Sequence, residues 1–216
     1  MDGWDRRTLL AGALAPIFWI AGVILSESGD KRPDFNASPD EILSYVEGNH
    51  SRILIGGLVF LFGGLLFMWF LGGFRSRAMA AEGGTGRLTA TAFGTGLAFI
   101  IGIMATWAPQ FSLGIFMEEQ GTGLAPEAAQ ALWLAGDGFF VIAEIGLAGF
   151  MFATALLILK GLGLPKWMAW LGILMTIVLL IAPIGWAVMI FIFPFWLILA
   201  SILLYRQPAA PTATVP

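Results

Sequence analysis

Two carboxylates, Asp137 and Glu144, are the only charged residues in the apolar stretch from Ala128 to Leu159. In hydrocarbon an ionisable side chain is costly unless it is paired or protonated, so such residues mark ligand or proton sites by default. The two are seven residues apart, almost two helical turns, and a helix presents both on one face. We predict that this face points into a bundle interior, together with Val141, Ala148, Met151 and Ala155.

Depth distinguishes the two acids. Glu144 lies about 10 Å further along the helix than Asp137, so we predict that Glu144 is intramembrane and that Asp137 lies near the outer interface. One interpretation is a proton or cation relay, or an anchor for the positive group of a ligand. The other is a protonated glutamate that is hydrogen-bonded to a Thr, Ser or Trp of a neighbouring helix. Both interpretations stay open.

Other chemistry has little support in the sequence. Cysteine is absent and His50 is the single histidine, which excludes thiolate sites and a haem held by two histidines of one chain. The segment Ala135-Gly136-Asp137-Gly138 has no second intramembrane aspartate to pair with, unlike the intramembrane aspartyl proteases. We predict no catalytic residue and no metal site, and we leave cofactors unassigned.

The composition identifies the elements that must position Glu144. Of 216 residues, 58% are hydrophobic and 12% are charged, whereas soluble domains are about 25% charged. Apolar runs of about 20 residues cross a bilayer as helices. We predict an all-α membrane bundle, residues 1–206, with a disordered tail at 207–216. Its six spans would be 9–25, 53–74, 88–107, 128–159, 167–181 and 186–204.

Basic residues predict the orientation, because Lys and Arg near span ends stay on the cytoplasmic side. With both termini in the cytoplasm, most basic residues lie inside and the outer loops are acidic. We expect a multi-pass protein of the plasma membrane, in bacteria the inner membrane. The net charge of -3 does not indicate a basic surface that binds nucleic acid, and we predict no nucleic-acid partner. The inner basic residues are Arg6, Arg7, Arg75, Arg77, Arg87, Lys160, Lys166 and Arg206.

The first outer loop contains a helix start signal. Ser38-Pro39-Asp40-Glu41 places a serine at the N-cap, a proline at the first helical position and a glutamate at the third. We predict a short surface helix from Pro39 to about Glu47, ended by Gly48-Asn49. The second outer loop, 108–126, is semi-apolar and is predicted to join this helix in capping the bundle.

Three stretches of the later half carry a family pattern: Ile142-Ala143-Glu144-Ile145, Lys160-Gly161-Leu162-Gly163-Leu164-Pro165-Lys166 and Leu171-Gly172-Ile173-Leu174. They resemble a bacterial and archaeal family of small six-span membrane proteins, domain of unknown function 4386. The resemblance implies a six-helix membrane fold and a recurrent position for Glu144, with no assigned activity. The chain departs from the family at Asp137, in a stretch that bears histidine in some members.

The leading hypothesis is therefore a membrane protein that binds or transports a small lipophilic or cationic compound at Glu144. The alternative is a structural or accessory subunit of a larger membrane complex, for which glycine-lined helix faces in the second and third spans suffice. An intramembrane enzyme ranks third, because a carboxylate pair without a visible nucleophile or metal is insufficient. The expected partners are membrane lipids, together with either a lipophilic small molecule or a membrane protein.

Overall fold

The protein is described by a computed structural model at residues 3–34, 36–121, 123–181 and 184–207. Its elements are helices only, and within these ranges no strand occurs. The all-α prediction is confirmed. The helices are α1 (Gly3–Ser26), α2 (Pro39–Glu82), α3 (Arg87–Ala105), α4 (Trp107–Gln120), α5 (Pro126–Lys160), α6 (Lys166–Leu179), α7 (Gly185–Ala187) and α8 (Phe193–Arg206), with a π-helical turn at Val188–Ile192.

Five helical segments of the described chain are long and apolar enough to cross a membrane, which supports a multi-pass membrane protein. The predicted span count of six is wrong, because the run at 167–181 forms only α6. Its 14 residues extend about 21 Å, less than the roughly 30 Å of hydrocarbon. The five segments are Arg6–Ser26, Pro39–Glu82, Arg87–Gln120, Pro126–Lys160 and Gly185–Arg206.

The helices pack so that the start of α1 meets the end of α8. Arg6 donates from Nε to the carbonyl of Tyr205 at 2.7 Å, and its guanidinium lies 4.8 Å from the Tyr205 ring centroid. We call this the terminal end of the bundle, and the opposite end, near Ser38 and Gln120, the distal end. Helix α1 packs on α2 and α8, whereas α5 packs on α3, α2 and α6.

The centre of the bundle is filled by aromatic rings. Phe67 of α2 is fully buried, and its ring centroid lies 5.5 Å from Phe99 of α3 and 5.9 Å from Phe150 of α5. Trp19 of α1 and Phe193 of α8 complete this group, at 5.8 Å and 6.2 Å from Phe67. Five helices therefore meet at one set of interlocked rings, which we call the aromatic cluster.

The distal end has its own smaller core. Helix α2 has 44 residues and is about 66 Å long, twice the hydrocarbon thickness. Its first turns pack with α4 and the start of α5 to form a three-helix extension. The predicted cap combined the helix from Pro39 with the second outer loop, 108–126, and both segments pack on the start of α5. The buried residues of this core are Ile42, Tyr45, Val46, Ile53, Leu113, Met117, Ala129 and Trp133.

The predicted surface helix begins as expected but does not end as expected. Ser38 and Glu41 form the predicted capping box. The helix then continues through Gly48-Asn49 into the second span, so a separate helix ending near Glu47 is wrong. The Asn49 side chain donates to the carbonyl of Tyr45 at 2.9 Å and to the Asp30 carboxylate at 3.0 Å. These bonds satisfy the buried Asn49 amide in helical conformation, and no break is needed.

The first residue of the predicted tail forms hydrogen bonds. Gln207 donates from Nε2 to the carbonyl of Gly163 at 2.8 Å, and its own carbonyl accepts from Arg77 at 3.1 Å. Gln207 thus contacts the bundle, and the disorder predicted for 207–216 stays a prediction. The rest of that predicted tail, 208–216, lies outside the described residues.

Candidate ligand site at Glu144

Glu144 lies near the middle of α5, beside the turn of the hairpin that α6 and α8 form. The side chain is only partly buried. Its Oε1 atom is 2.8 Å from the position that a Cβ atom would take at Gly185, the first residue of α7. The carboxylate therefore packs directly on the backbone of the chain where it turns from α6 towards α8.

The carboxylate of Glu144 makes no hydrogen bond or ion pair with the described residues. Among the described residues, Glu144 thus has no hydrogen bond to a Thr, Ser or Trp of a neighbouring helix, which the second interpretation required. The large side chains around it are apolar and about half exposed: Val141 at 53%, Ile145 at 60% and Ile184 at 51%. Glu144 therefore lies where α5 contacts the α6–α7 turn, beside exposed apolar side chains, and we call this position the Glu144 notch.

The polar face of α5 is only half enclosed. Ala148, Met151 and Ala155 are buried, and α6 covers them, as the hydrogen bond from Thr176 to the carbonyl of Ala148 at 3.3 Å demonstrates. Asp137 on the same face is exposed. The prediction that this whole face points into the bundle interior is therefore wrong for the part of α5 that precedes Glu144, where Asp137 and Val141 are exposed. The short α6 turns back at Gly185 and leaves the rest of the face uncovered.

Asp137 belongs to the distal end and not to the Glu144 notch. It lies one turn after Trp133, whose ring is 5.2 Å from the guanidinium of Arg32 and 5.6 Å from the ring of Tyr45. This end carries polar loops, so Asp137 has an environment that an exposed carboxylate tolerates. The two predicted site residues are therefore not brought together, and Glu144 alone remains in the apolar region.

Two features near Glu144 were not predicted from the sequence as parts of a site. The first is Gly185, since only a residue without Cβ leaves room for the carboxylate. The second is the π-helical turn, in which the N–H of Phe193 donates to the carbonyl of Val188. Pro194 has no N–H to offer the carbonyl four residues earlier, and a local π-turn accommodates this loss. The position of Pro194 in the last apolar run was the available signal.

Ionisable residues elsewhere in the described chain do not form a second candidate site. Among the described residues, no group of three or more His, Asp or Glu side chains is placed to hold a metal ion. His50 lies at the distal end, where its Nε2 atom is 3.2 Å from a carboxylate oxygen of Glu118. This pair joins α2 to α4, and the Nδ1 atom of His50 lies 2.9 Å from the carbonyl oxygen of Glu47.

Searches against protein-family models, curated proteins and solved structures find no match to this chain. The site geometry and the membrane-length helices therefore carry the functional conclusion.

Proposed function

We propose that this integral membrane protein binds a small lipophilic cation at the Glu144 notch, with the Glu144 carboxylate as counter-ion. The observation that carries the proposal is that Glu144 has no hydrogen-bond or ion-pair partner among the described residues, at a position flanked by exposed apolar side chains. A charged group in hydrocarbon is retained where it pairs with a ligand, an ion or a proton. A cation that carries apolar groups would satisfy the carboxylate and cover Val141, Ile145 and Ile184 together.

Binding has more support than transport. The aromatic cluster fills the centre of the bundle, whereas Glu144 lies at its lateral surface. A bound compound would reach this carboxylate from the lipid layer without passing through the rings of Phe67 and Phe193. Transport would require the α6–α8 hairpin to move away from α5, and the π-turn beside Pro194 interrupts the α-helical hydrogen bonds of that hairpin.

The proposal is tested with tetraphenylphosphonium, a lipophilic cation, and triphenylphosphine oxide, a neutral compound with three of the same aryl groups. Binding to the full chain in nanodiscs is measured by equilibrium dialysis. We expect saturable binding of the cation that Glu144→Gln weakens by about tenfold or more, because one charge pair in a low dielectric contributes over 1 kcal/mol. The neutral compound should bind weakly to both proteins.

Asp137→Asn is the matched control, since it removes one carboxylate from the same helix outside the notch. It should leave cation binding unchanged. Equal binding by Glu144→Gln and the wild type would contradict the proposal, as would equal losses in both variants. Glu144→Gln keeps the size of the side chain, and circular dichroism with size-exclusion chromatography verifies its fold. Uptake of the same cation into proteoliposomes then separates binding from transport.

The accessory-subunit alternative rests on glycines that face outward. Most glycines of α2 and α3 are used inside the bundle, where a Cβ atom would collide with a neighbouring helix. Gly72, Gly94 and Gly138 have open space instead and would allow close approach of a helix from another protein. Purification from the host in mild detergent tests this role, because a stoichiometric membrane-protein partner is then expected. An intramembrane enzyme remains the third candidate.

We also propose that both termini lie in the cytoplasm and that the protein resides in a bacterial inner membrane. The contact of Arg6 with Tyr205 supports a common side for both ends. The terminal end carries Arg77, Lys160 and Lys166, in keeping with the distribution of basic residues in inner-membrane proteins. Membership in the family of domain of unknown function 4386 is part of this proposal.

A further inference from the structure

A cleft of about 730 Å³ lies at the terminal end, between the α5–α6 loop and the last turn of α8. Three basic side chains surround it, those of Lys160, Lys166 and Arg206, and each is exposed. Each stands at a helix boundary, at the end of α5, the start of α6 and the end of α8. Three cations thus meet at one opening although they are distant in the sequence.

No acidic residue is among the described residues that line the cleft, and none of the three cations forms an ion pair within the described chain. Outside the cleft, the Glu82 carboxylate interacts electrostatically with Lys160. Its carboxylate already accepts bonds from the N–H groups of Leu88 and Thr89, at 2.8 Å and 2.7 Å. Within the described chain, no carboxylate lies in the cleft to balance its positive charge.

The walls of the cleft are held in place. Gln207, on its rim, donates to the carbonyl of Gly163, and Arg77 of α2 binds the Gln207 carbonyl. The α5–α6 loop and the end of α8 are thereby fixed to each other and to α2. A ligand would meet a preformed site and would not have to order this loop.

The floor of the cleft is apolar. Leu159, Leu164 and Leu203 line it, and Leu159 is 40% exposed. Trp167, next to Lys166, is 53% exposed and has the position of an interfacial anchor. Cations above an apolar wall at a membrane surface match a ligand with an anionic head and an acyl chain. Basic pockets between helices at this depth bind phosphate head groups of lipids.

We propose that this cleft is a binding site for an anionic phospholipid. The lipid phosphate lies among Lys160, Lys166 and Arg206, and an acyl chain runs along Leu159 and Leu203. The site is separate from the Glu144 notch and does not depend on the function proposed for it. The lipid would join the α6–α8 hairpin to α5 at the terminal end, where the five-residue loop 161–165 is their only covalent link.

The test uses the full chain in detergent, titrated with phosphatidylglycerol or with phosphatidylcholine, and native mass spectrometry counts the retained lipids. The cleft variant is Lys160→Gln/Lys166→Gln/Arg206→Gln. We expect the wild type to prefer phosphatidylglycerol and the cleft variant to lose that preference by about fivefold for each basic residue removed. Soluble glycerol phosphate at the same concentration should not displace the lipid, because it lacks the acyl chains.

The control variant is Arg7→Gln/Arg75→Gln/Arg87→Gln, which removes the same charge from exposed residues outside the cleft. It should keep the preference for phosphatidylglycerol. A cleft variant that keeps the preference, or a control variant that loses it equally, overturns the proposal. Displacement by glycerol phosphate overturns it as well, because the site would then recognise a soluble phosphate. Circular dichroism and size-exclusion profiles verify that both variants are folded.

Discussion

The Glu144 carboxylate and Gly185 are packed so closely that Oε1 lies 2.8 Å from the position of a Cβ atom at Gly185. The contact joins the middle of α5 to the turn between α6 and α7. On its other side, Gly185 faces the backbone of Leu179, whose carbonyl oxygen is 3.0 Å from the same position. Any side chain at residue 185 must therefore displace either the carboxylate or the end of α6.

Gly185→Ala is expected to disturb the Glu144 notch. The methyl group pushes the carboxylate outward or shifts the α6–α7 turn, and overpacking of this kind costs about 1–3 kcal/mol. We expect a lower midpoint in thermal unfolding and weaker tetraphenylphosphonium binding. Gly138→Ala on α5 is the control, because a Cβ atom there meets nothing within 4 Å. Unchanged stability and binding in Gly185→Ala would contradict the described packing.

Gly56→Ala is expected to separate α1 from α2. A Cβ atom at Gly56 would lie 2.6 Å from the backbone nitrogen of Ser26, and backbone moves less readily than a side chain. Unfolding titrations with a denaturing detergent should reveal a loss of about 1–3 kcal/mol. Gly72→Ala lies on the same helix with nothing within 4 Å and should be neutral or stabilising. Equal behaviour of the two variants would rule out the close helix crossing.

Phe67→Ala is expected to be among the most damaging single substitutions. The ring is fully buried and belongs to the aromatic cluster, so its removal leaves a cavity that costs about 3–5 kcal/mol. The same detergent titration measures the effect. Phe195 of α8 is 70% exposed, and Phe195→Ala should cost far less. A small effect at Phe67 would mean that the five helices do not meet at this ring.

Ser38→Ala is expected to loosen the first turn of α2. The N–H of Glu41 donates to the Ser38 hydroxyl at 3.3 Å, and loss of an N-cap costs about 1 kcal/mol. Hydrogen exchange should accelerate roughly fivefold at the amides near Glu41. Ser51→Ala, at an exposed position inside α2, should leave these amides unaffected. Identical exchange in Ser38→Ala and the wild type would exclude the capping box.

Helix boundaries were predictable only where a local signal exists. Ser38 and Glu41 are sufficient to start α2, because the two bonds of a capping box lie within four residues. The helix end predicted at Gly48-Asn49 was wrong, because the Asn49 amide binds Asp30. Asp30 lies in the preceding loop, and its contact with Asn49 was not visible in the local sequence. A residue that often ends a helix can continue it when a distant partner satisfies its side chain.

The candidate site was likewise predictable only in its local features. Periodicity correctly placed Asp137 and Glu144 on one helix face, since this depends only on the helical repeat. It could not reveal how far the neighbouring helix covers that face. The short α6 ends before it reaches Asp137, and this length difference made one carboxylate exposed and the other a member of the Glu144 notch.

The sequence by itself determined that this chain forms apolar helices of membrane length and that one of them carries two carboxylates, Asp137 and Glu144, on one face. Both follow from composition and spacing along one chain. The tertiary structure decided that Glu144 lies on Gly185 and that Lys160, Lys166 and Arg206 converge on one cleft. These arrangements depend on where separate helices end and how they pack, which spacing along a single helix does not encode.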